Sequence, residues 1–408
     1  MNSASVLPST HTIETLRALI GFPTVSAVSN LDLIDYARGF LEGLGCKTHM
    51  TGRASDGKYN LFATLGEGDP NTGLILSGHT DVVPASQGNW TSDPFTMRIA
   101  DGKAYGRGTA DMKGYIAVCM EQLRRLDPNA LKHPVHLALS FDEEVGCRGV
   151  PLLLDDLKLR GIRPWGCVIG EPTGMSVIVG HKGSKRFCCT VHGKSAHSSQ
   201  PFLGVNAIHF GSRLIAFVDQ LGNDLRLNGP QDADYDVPYT TVLVTQIEGG
   251  EAANMVPQRC VLGMGLRHLP EHDPMSVIGE VRKFCEEQLL PDMRAWYPDA
   301  KIDLELLTGV PSFNRAKDTD IVELVAGELR ELNRGEVTYG KVGFGTEAGH
   351  FESHGIPSVA CGPGSISQAH QVDEYVELSQ LAAGETFISG LLQRFCVEGR
   401  NPRVAVAS

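Results

Sequence analysis

The chain alternates short apolar runs with amphipathic segments, and its candidate metal-binding residues gather where the apolar runs stop. LILSG ends in His79-Thr80-Asp81, HLALSF in Asp142-Glu143-Glu144, and CVIG in Glu171-Pro172-Thr173. Glycine-rich YGRGT leads into Asp111-Met112-Lys113-Gly114, and the late loop GPGSISQAH carries His370. Short apolar runs between helical segments read as buried strands of an α/β sheet flanked by helices. Ligands of such sheets bind in the crevice outside the carboxyl ends of the strands. Four of the five clusters stand at or just past the end of an apolar segment, where such a site would be built.

Local patterns fill in the frame. Ile13, Leu16, Leu19 and Ile20 have helical spacing, and a second amphipathic helix spans Asp32 to Gly45. Strands are expected at Leu61–Leu65, Leu74–Ser77, His136–Phe141 and Cys167–Ile169, with a helix after Lys113. The texture changes after Gly180. Strand-like Lys185–His192, helical Val205–Gln220, strand-like Thr240–Ile247 and Cys260–His268, and helical Met275–Leu289 follow one another in an order that suits a ferredoxin-like α+β module. The α/β texture returns near Ile302. The expected organisation is a catalytic domain in two parts, 1–181 and 296–408, interrupted by an inserted domain, 182–295.

Length and charge exclude several classes. A chain of 408 residues suggests two or three domains. Its net charge of -12 argues against nucleic acid as a partner, because phosphate binding needs a basic surface. No apolar stretch is long enough for a membrane helix, and the first residues lack a basic region ahead of an apolar run, so a cytoplasmic location without membrane association is expected. The 10 cysteines are scattered, with no C-x-x-C spacing, and read as free thiols of a reducing compartment. YGRGT and GFGTEAG lack the full dinucleotide pattern, and HSS lacks the context of a serine nucleophile.

Two histidines and three carboxylates suit a pair of borderline-hard cations such as zinc or cobalt. Close cations need a shared anionic ligand, and Asp111 is the candidate bridge. His79 and Glu171 are assigned to one metal, Glu144 and His370 to the other. Asp81, two residues from His79, is expected to accept the other ring N–H of that histidine. Adjacent side chains diverge on an extended chain, so Glu144 is read as the ligand and Glu143 as a free general base. Taken singly, His79 reads as a hydrogen-bonded strand-end residue, Asp111 as a helix cap and Glu143-Glu144 as a solvated turn. Five such coincidences at segment ends favour a metal site.

HTDVVP, GRGTADMKG, DEEVG, GEPT and AHQVDE together resemble the zinc-dependent aminoacylase, carboxypeptidase and deacetylase family, and the similarity covers nearly the whole chain. The resemblance implies a binuclear zinc site with the ligands above, Asp81 orienting His79, and Glu143 as general acid and base. It also implies that the inserted module is a lid that forms a homodimer through its sheet. His197 in GKSAHSS matches a histidine that enters the partner subunit's site to stabilise the oxyanion. Asn254 in EAANMVP and Arg267 in GLRHLP match positions that hold the substrate carboxylate. Glu347 in FGTEAGHF is a candidate contact for a substrate amine. NWTSDPF, HKG, HSSQPFLGVNAI, VPYTT and RHLP narrow the implied reaction to deacetylation of N2-acetyl-L-ornithine. N-acetylcitrulline, succinyl-diaminopimelate and small peptides are alternative substrates, and a metal-stabilised binding module without catalysis is the reading from another class.

Overall fold

The computed structural model describes residues 7–26, 28–85, 88–333 and 335–400. The first six residues, part of the stretch read above for a leader, lie outside them. The chain divides into two units: Met1–Gly180 with Asn314–Lys341 and Thr346–Ser408, and His181–Phe313 with Val342–Gly345.

In chain order the first unit opens with α1 (Thr10–Ile20), α2 (Leu31–Gly43), β1 (Lys47–Arg53), β2 (Lys58–Leu65) and β3 (Leu74–His79). It continues with β4 (Arg98–Ala100), β5 (Lys103–Tyr105), α3 (Lys113–Arg125), β6 (Val135–Ser140), α4 (Val150–Leu159), β7 (Gly166–Ile169) and β8 (Val177–His181). The second unit contributes β9 (Gly183–His192), α5 (Ala207–Asn228), β10 (Thr241–Gly249), β11 (Arg259–His268), α6 (Pro274–Phe284), α7 (Leu290–Arg294) and β12 (Lys301–Val310). After β13 (Phe313–Asn314) come α8 (Asp320–Leu332), β14 (Tyr339–Val342), α9 (Ala348–Ser353), β15 (Ser358–Ala360), β16 (Tyr375–Glu377) and α10 (Leu378–Leu392).

The main sheet has the order β1-β2-β6-β3-β7-β15-β8-β13, with β14 pairing β8. Its centre is parallel: β3 runs with β6 and β7, and β7 with β15. These strands are buried on both faces, which explains their unbroken apolar runs. Helix α1 starts where the Ser9 side chain accepts the Thr12 N–H, and it buries Leu16, Leu19 and Ile20. Helix α3 is buried from Lys113 to Leu123, so its sequence shows no polar stripe. Each fully buried Leu or Ile contributes about 1.5–3 kcal/mol of transfer free energy.

In the second unit β10-β11-β9-β12 form an antiparallel sheet. The element order strand-helix-strand-strand-helix-strand, with the first and third strands central, is the ferredoxin-like topology. The expected junction at 295/296 is corrected to 313/314. Lys301–Val310 was assigned to the catalytic part, but β12 pairs along β9 from Lys301↔His192 to Val310↔Ser184 and so completes the second unit's sheet.

His136 in β6 is fully buried and stacks on Phe62 at 5.0 Å. Its Nε2 faces the Pro70 carbonyl at 3.0 Å and must carry the hydrogen, leaving Nδ1 to accept from Thr64 Oγ1 at 2.9 Å. Burial pulls its pKa down to about 4, against a partial rise from the Pro70 hydrogen bond. A histidine depressed in the folded state destabilises it as pH falls from the unfolded value of about 6.5 toward 4. His136→Gln is therefore expected to lose less stability than the parent protein over that window, by about 2–3 kcal/mol, in denaturant unfolding at a series of pH values. Parallel stability curves would contradict the assignment.

Candidate metal centre and active site

The parallel strands end in register, and this alignment builds the site. His79 pairs with Ser140, Ser77 with Ile169, and Ala360 with Ile169, so β3, β6, β7 and β15 all stop at one rim. His79 is the last residue of β3, Glu143 and Glu144 follow β6, Glu171 follows β7, and His370 lies beyond β15. Asp111 precedes α3, and the Asp111–Met112 peptide is cis. Gly170 lets the chain pass close to a neighbour just before Glu171: a Cβ there would lie 2.0 Å from the Tyr115 ring.

All five expected ligands converge. Ligand atoms of His79, Asp111 and Glu171 lie within 4.8 Å of one another, and so do those of Asp111, Glu144 and His370. Asp111 belongs to both groups. His79 Nε2 is 3.0 Å from Asp111 Oδ1, while His370 Nε2 is 3.5 Å from Asp111 Oδ2 and 2.9 Å from Glu144 Oε2. His370 and Asp142 adopt φ of 65° and 55°, the left-handed region that costs a non-glycine residue about 1–2 kcal/mol.

The expected contact of the Asp81 carboxylate with His79 is corrected. The His79 Nδ1 hydrogen goes to the Asp81 backbone carbonyl at 2.9 Å, and the carboxylate Oδ1 stands 3.8 Å away. It is the main chain of Asp81, not its side chain, that meets the ring. The Asp81 carboxylate instead accepts the backbone N–H of Glu143 at 3.0 Å, that of Glu144 at 3.3 Å and the Ser26 hydroxyl at 2.7 Å. It shapes the loop that carries the two glutamates.

The donor set fits a pair of divalent cations. With Nδ1–H committed to a carbonyl, His79 Nε2 can face Asp111 Oδ1 only by carrying a second proton or by sharing a cation with it. Burial opposes charging His79, but the Asp111 hydrogen bond and the charges of Asp111, Glu143 and Asp81 outweigh it and hold its pKa well above the ordinary value. Burial and the Asp111 charge push Glu171 up to about 8. Burial raises Glu143, with Glu171, Glu144 and Asp81 adding to the rise against a lowering by His79. The Asp111 and Glu144 hydrogen bonds push His370 up to about 10. Burial raises the glutamates first and their mutual repulsion adds to it, while the two imidazoles hold Asp111 low; bound cations would favour the ionised carboxylates and neutral imidazoles.

The remaining expected residues are distributed as follows. Glu143 belongs to neither ligand group, and its Oε1 accepts from Cys147 Sγ at 3.4 Å. Glu347 stands just before α9 without a side-chain bond to the helix, is 1% exposed, and accepts from Ser77 Oγ at 3.4 Å; burial pushes it up to about 7. His197, Asn254 and Arg267 belong to the second unit. There His197 bridges to Met255 and holds Ser199 Oγ at 2.7 Å, and the Asn254 carbonyl accepts from Ser198 N at 2.9 Å. Arg267 Nη1 donates to the Gly343 carbonyl at 3.2 Å. All ten cysteines are free, as expected for scattered thiols. Sequence reasoning missed Asp142, whose carboxylate is held by Lys58 Nζ at 2.7 Å and Arg53 Nη2 at 2.8 Å. Its adjacency to Glu143 was the only signal available.

The α/β fold carries at its carboxyl rim two groups of carboxylate and imidazole side chains, joined through Asp111, that could each hold a metal ion, an arrangement suited to a hydrolase. The family model described as Peptidase family M20/M25/M40 matches residues 75–394, and the chain belongs to that family. The acetylornithine deacetylase of Shigella sonnei (strain Ss046) is 35% identical over 391 residues, 94% of this chain and 97% of that protein. Among solved structures, the M20 family metallo-carboxypeptidase of Sulfolobus solfataricus superposes with a TM-score of 0.74 at 18% identity, covering 94% of this chain and 99% of that one. A dinuclear metal-binding peptidase of the M20 family from Bacillus subtilis gives 0.68 at 14% identity, covering 94% and 96%. These two likenesses establish the fold.

Removing the shared carboxylate is expected to disable both ligand groups at once. Calorimetric titration of metal-free Asp111→Asn with zinc should show affinity reduced by more than the roughly 10–100-fold that supporting residues cost. Wild-type affinity in this variant would remove Asp111 from the ligand set.

Proposed function

We propose that this chain removes the acetyl group of N2-acetyl-L-ornithine, releasing L-ornithine and acetate, in the cytoplasm and as a step of arginine biosynthesis. The observation that carries the reading is the doubly shared Asp111 with Glu143 left free beside it. The end-to-end similarity to the Shigella sonnei deacetylase supports the substrate. The proposed metal is zinc, with cobalt as the alternative. His79, Asp111 and Glu171 would hold one ion, and Asp111, Glu144 and His370 the other.

Two such cations supply Lewis acidity, polarising an acyl carbonyl and acidifying water. Glu143 is the proposed general base: it takes a proton from the attacking water and returns one to the leaving amine. Asp81 serves this step by holding the backbone of residues 143 and 144 and, through its carbonyl, the ring of His79. His197 is the proposed donor to the oxyanion, acting between subunits of a homodimer formed through the lid sheet. Asn254 and Arg267 are proposed to hold the substrate carboxylate, and Glu347 its side-chain amine. Small-peptide hydrolysis is the second reading, favoured by the fold shared with peptidases.

Glu143→Gln is expected to lower kcat by about 10²–10⁴-fold while retaining its metal. Near-normal turnover with both ions bound would refute the base assignment. Acetate release from N-acetylornithine is expected to exceed succinate release from succinyl-diaminopimelate and amino-acid release from dipeptides in parallel assays. A preference for either rival would overturn the proposed substrate.

A further inference from the structure

The loop Arg107–Asp111 carries the shared ligand, yet it belongs to no strand or helix, so its N–H groups need partners from elsewhere. Those of Arg107 and Thr109 go to the Pro94 and Gly106 carbonyls, and the other three converge on one carboxylate. Glu374 Oε2 accepts from Gly108 N at 2.9 Å and Arg107 Nη1 at 2.8 Å. Its Oε1 accepts from Ala110 N at 2.9 Å and Asp111 N at 3.1 Å. Glu374 is 1% exposed and Arg107 2%.

Arg107 extends the arrangement. It donates to the Gln371 carbonyl at 3.2 Å and the Pro84 carbonyl at 3.4 Å, and it lies 5.1 Å from the Trp90 ring. Gln371 directly follows His370. One buried ion pair thus joins the segment after β3, the loop that carries Asp111 and the loop that carries His370. The conformation it clamps is a demanding one: Gly108 sits at φ +88°, and a Cβ there would lie 2.7 Å from Val82 Cγ1.

We propose that Glu374, braced by Arg107, is the positioning residue that sets Asp111 as a ligand shared between two metal ions. The proposal rests on the reading of Asp111 as such a ligand. An aspartate side chain is short, so the backbone position decides where its two oxygens fall. A shared ligand must satisfy two metal–oxygen distances of about 2 Å at once, which leaves little tolerance for a loop that drifts. The charge of Glu374 matters as well as its shape. Four donors point at two acceptor oxygens, and an amide in its place would set an NH₂ group against two of them. Structural glutamates of this kind can be buried for stability alone, so the test must separate metal positioning from folding.

Metal-free, full-length protein is titrated with cobalt(II), followed by calorimetry and by the visible absorption spectrum, with thermal unfolding of the metal-free forms recorded alongside. Glu374→Gln is expected to weaken cobalt binding roughly 10–100-fold, the usual cost of losing a residue that orients ligands, and to change the absorption spectrum. Arg107→Lys, which keeps the charge and loses the fork, is expected to give a smaller loss in the same direction. Unchanged affinity and spectrum in Glu374→Gln overturn the proposal, even where the metal-free protein melts earlier, because that pattern belongs to a purely structural residue. Should Glu374→Gln not fold, Arg107→Lys decides by the same criteria. Wild-type cobalt binding in Asp111→Asn would instead sink the underlying ligand reading, and the proposal with it.

Discussion

Negative charge concentrated at the end of a buried sheet is the constraint that organises this molecule. Two like charges about 4 Å apart repel by about 4 kcal/mol even at an effective dielectric of 20. Some of the acids near the rim are neutralised by the chain itself. Asp142 has Lys58 and Arg53, Glu374 has Arg107 and three N–H groups, and Asp81 has two N–H groups and a hydroxyl. Among the described residues no lysine or arginine pairs with Asp111, Glu143, Glu144 or Glu171. The acids therefore sort into those the protein compensates, which build scaffold, and those it leaves to imidazoles, which form the two candidate metal-binding groups.

How much of this is legible in the sequence depends on which force dictates each part. β3, β6 and β7 are covered on both faces, so burial writes itself as continuous apolar runs, and the strands are readable within a few residues. β1 is an edge strand of mostly polar, partly exposed residues, held by its register with β2 rather than by burial, and it left no apolar signal. β12 was readable as the return of regular structure but not as a member of the second unit. Its exposed face alternates with a half-buried one, and nothing local says which sheet it joins. That assignment is made by nine residue pairs with β9, a long-range fact.

The same division holds at the site. Imidazoles and carboxylates are chemically distinctive, so His79, Asp111, Glu144, Glu171 and His370 could be read as one candidate ligand set from where they fall between the predicted elements. Their supports are set by backbone geometry, which the residue types conceal. Two-residue spacing points the Asp81 carboxylate toward His79, yet the ring meets the Asp81 carbonyl instead. Glu374 closes the AHQVDE run four residues after His370, and its residue type alone names no role for it. Its partners are main-chain N–H groups 263–266 residues away, invisible to any reading of side chains.

The adjacent glutamates show how such supports create function. Glu143 and Glu144 are chemically alike, and nothing intrinsic makes one a ligand and the other a base. The loop that separates them is fixed on both sides. Asp142 is locked in a left-handed conformation by its pairs to Lys58 and Arg53, and the Asp81 carboxylate takes the N–H groups of both glutamates. Held this way, the turn sends Glu144 to His370 and Asp111, while Glu143 stays out of both ligand groups beside the Cys147 thiol. The base proposed above needs this separation, and the two anchors are what hold Glu143 outside the groups that Glu144 joins. The buried carboxylates of Asp81 and Asp142, neither of them in a candidate metal-binding group, thus help to decide which of two identical side chains joins such a group and which stays outside.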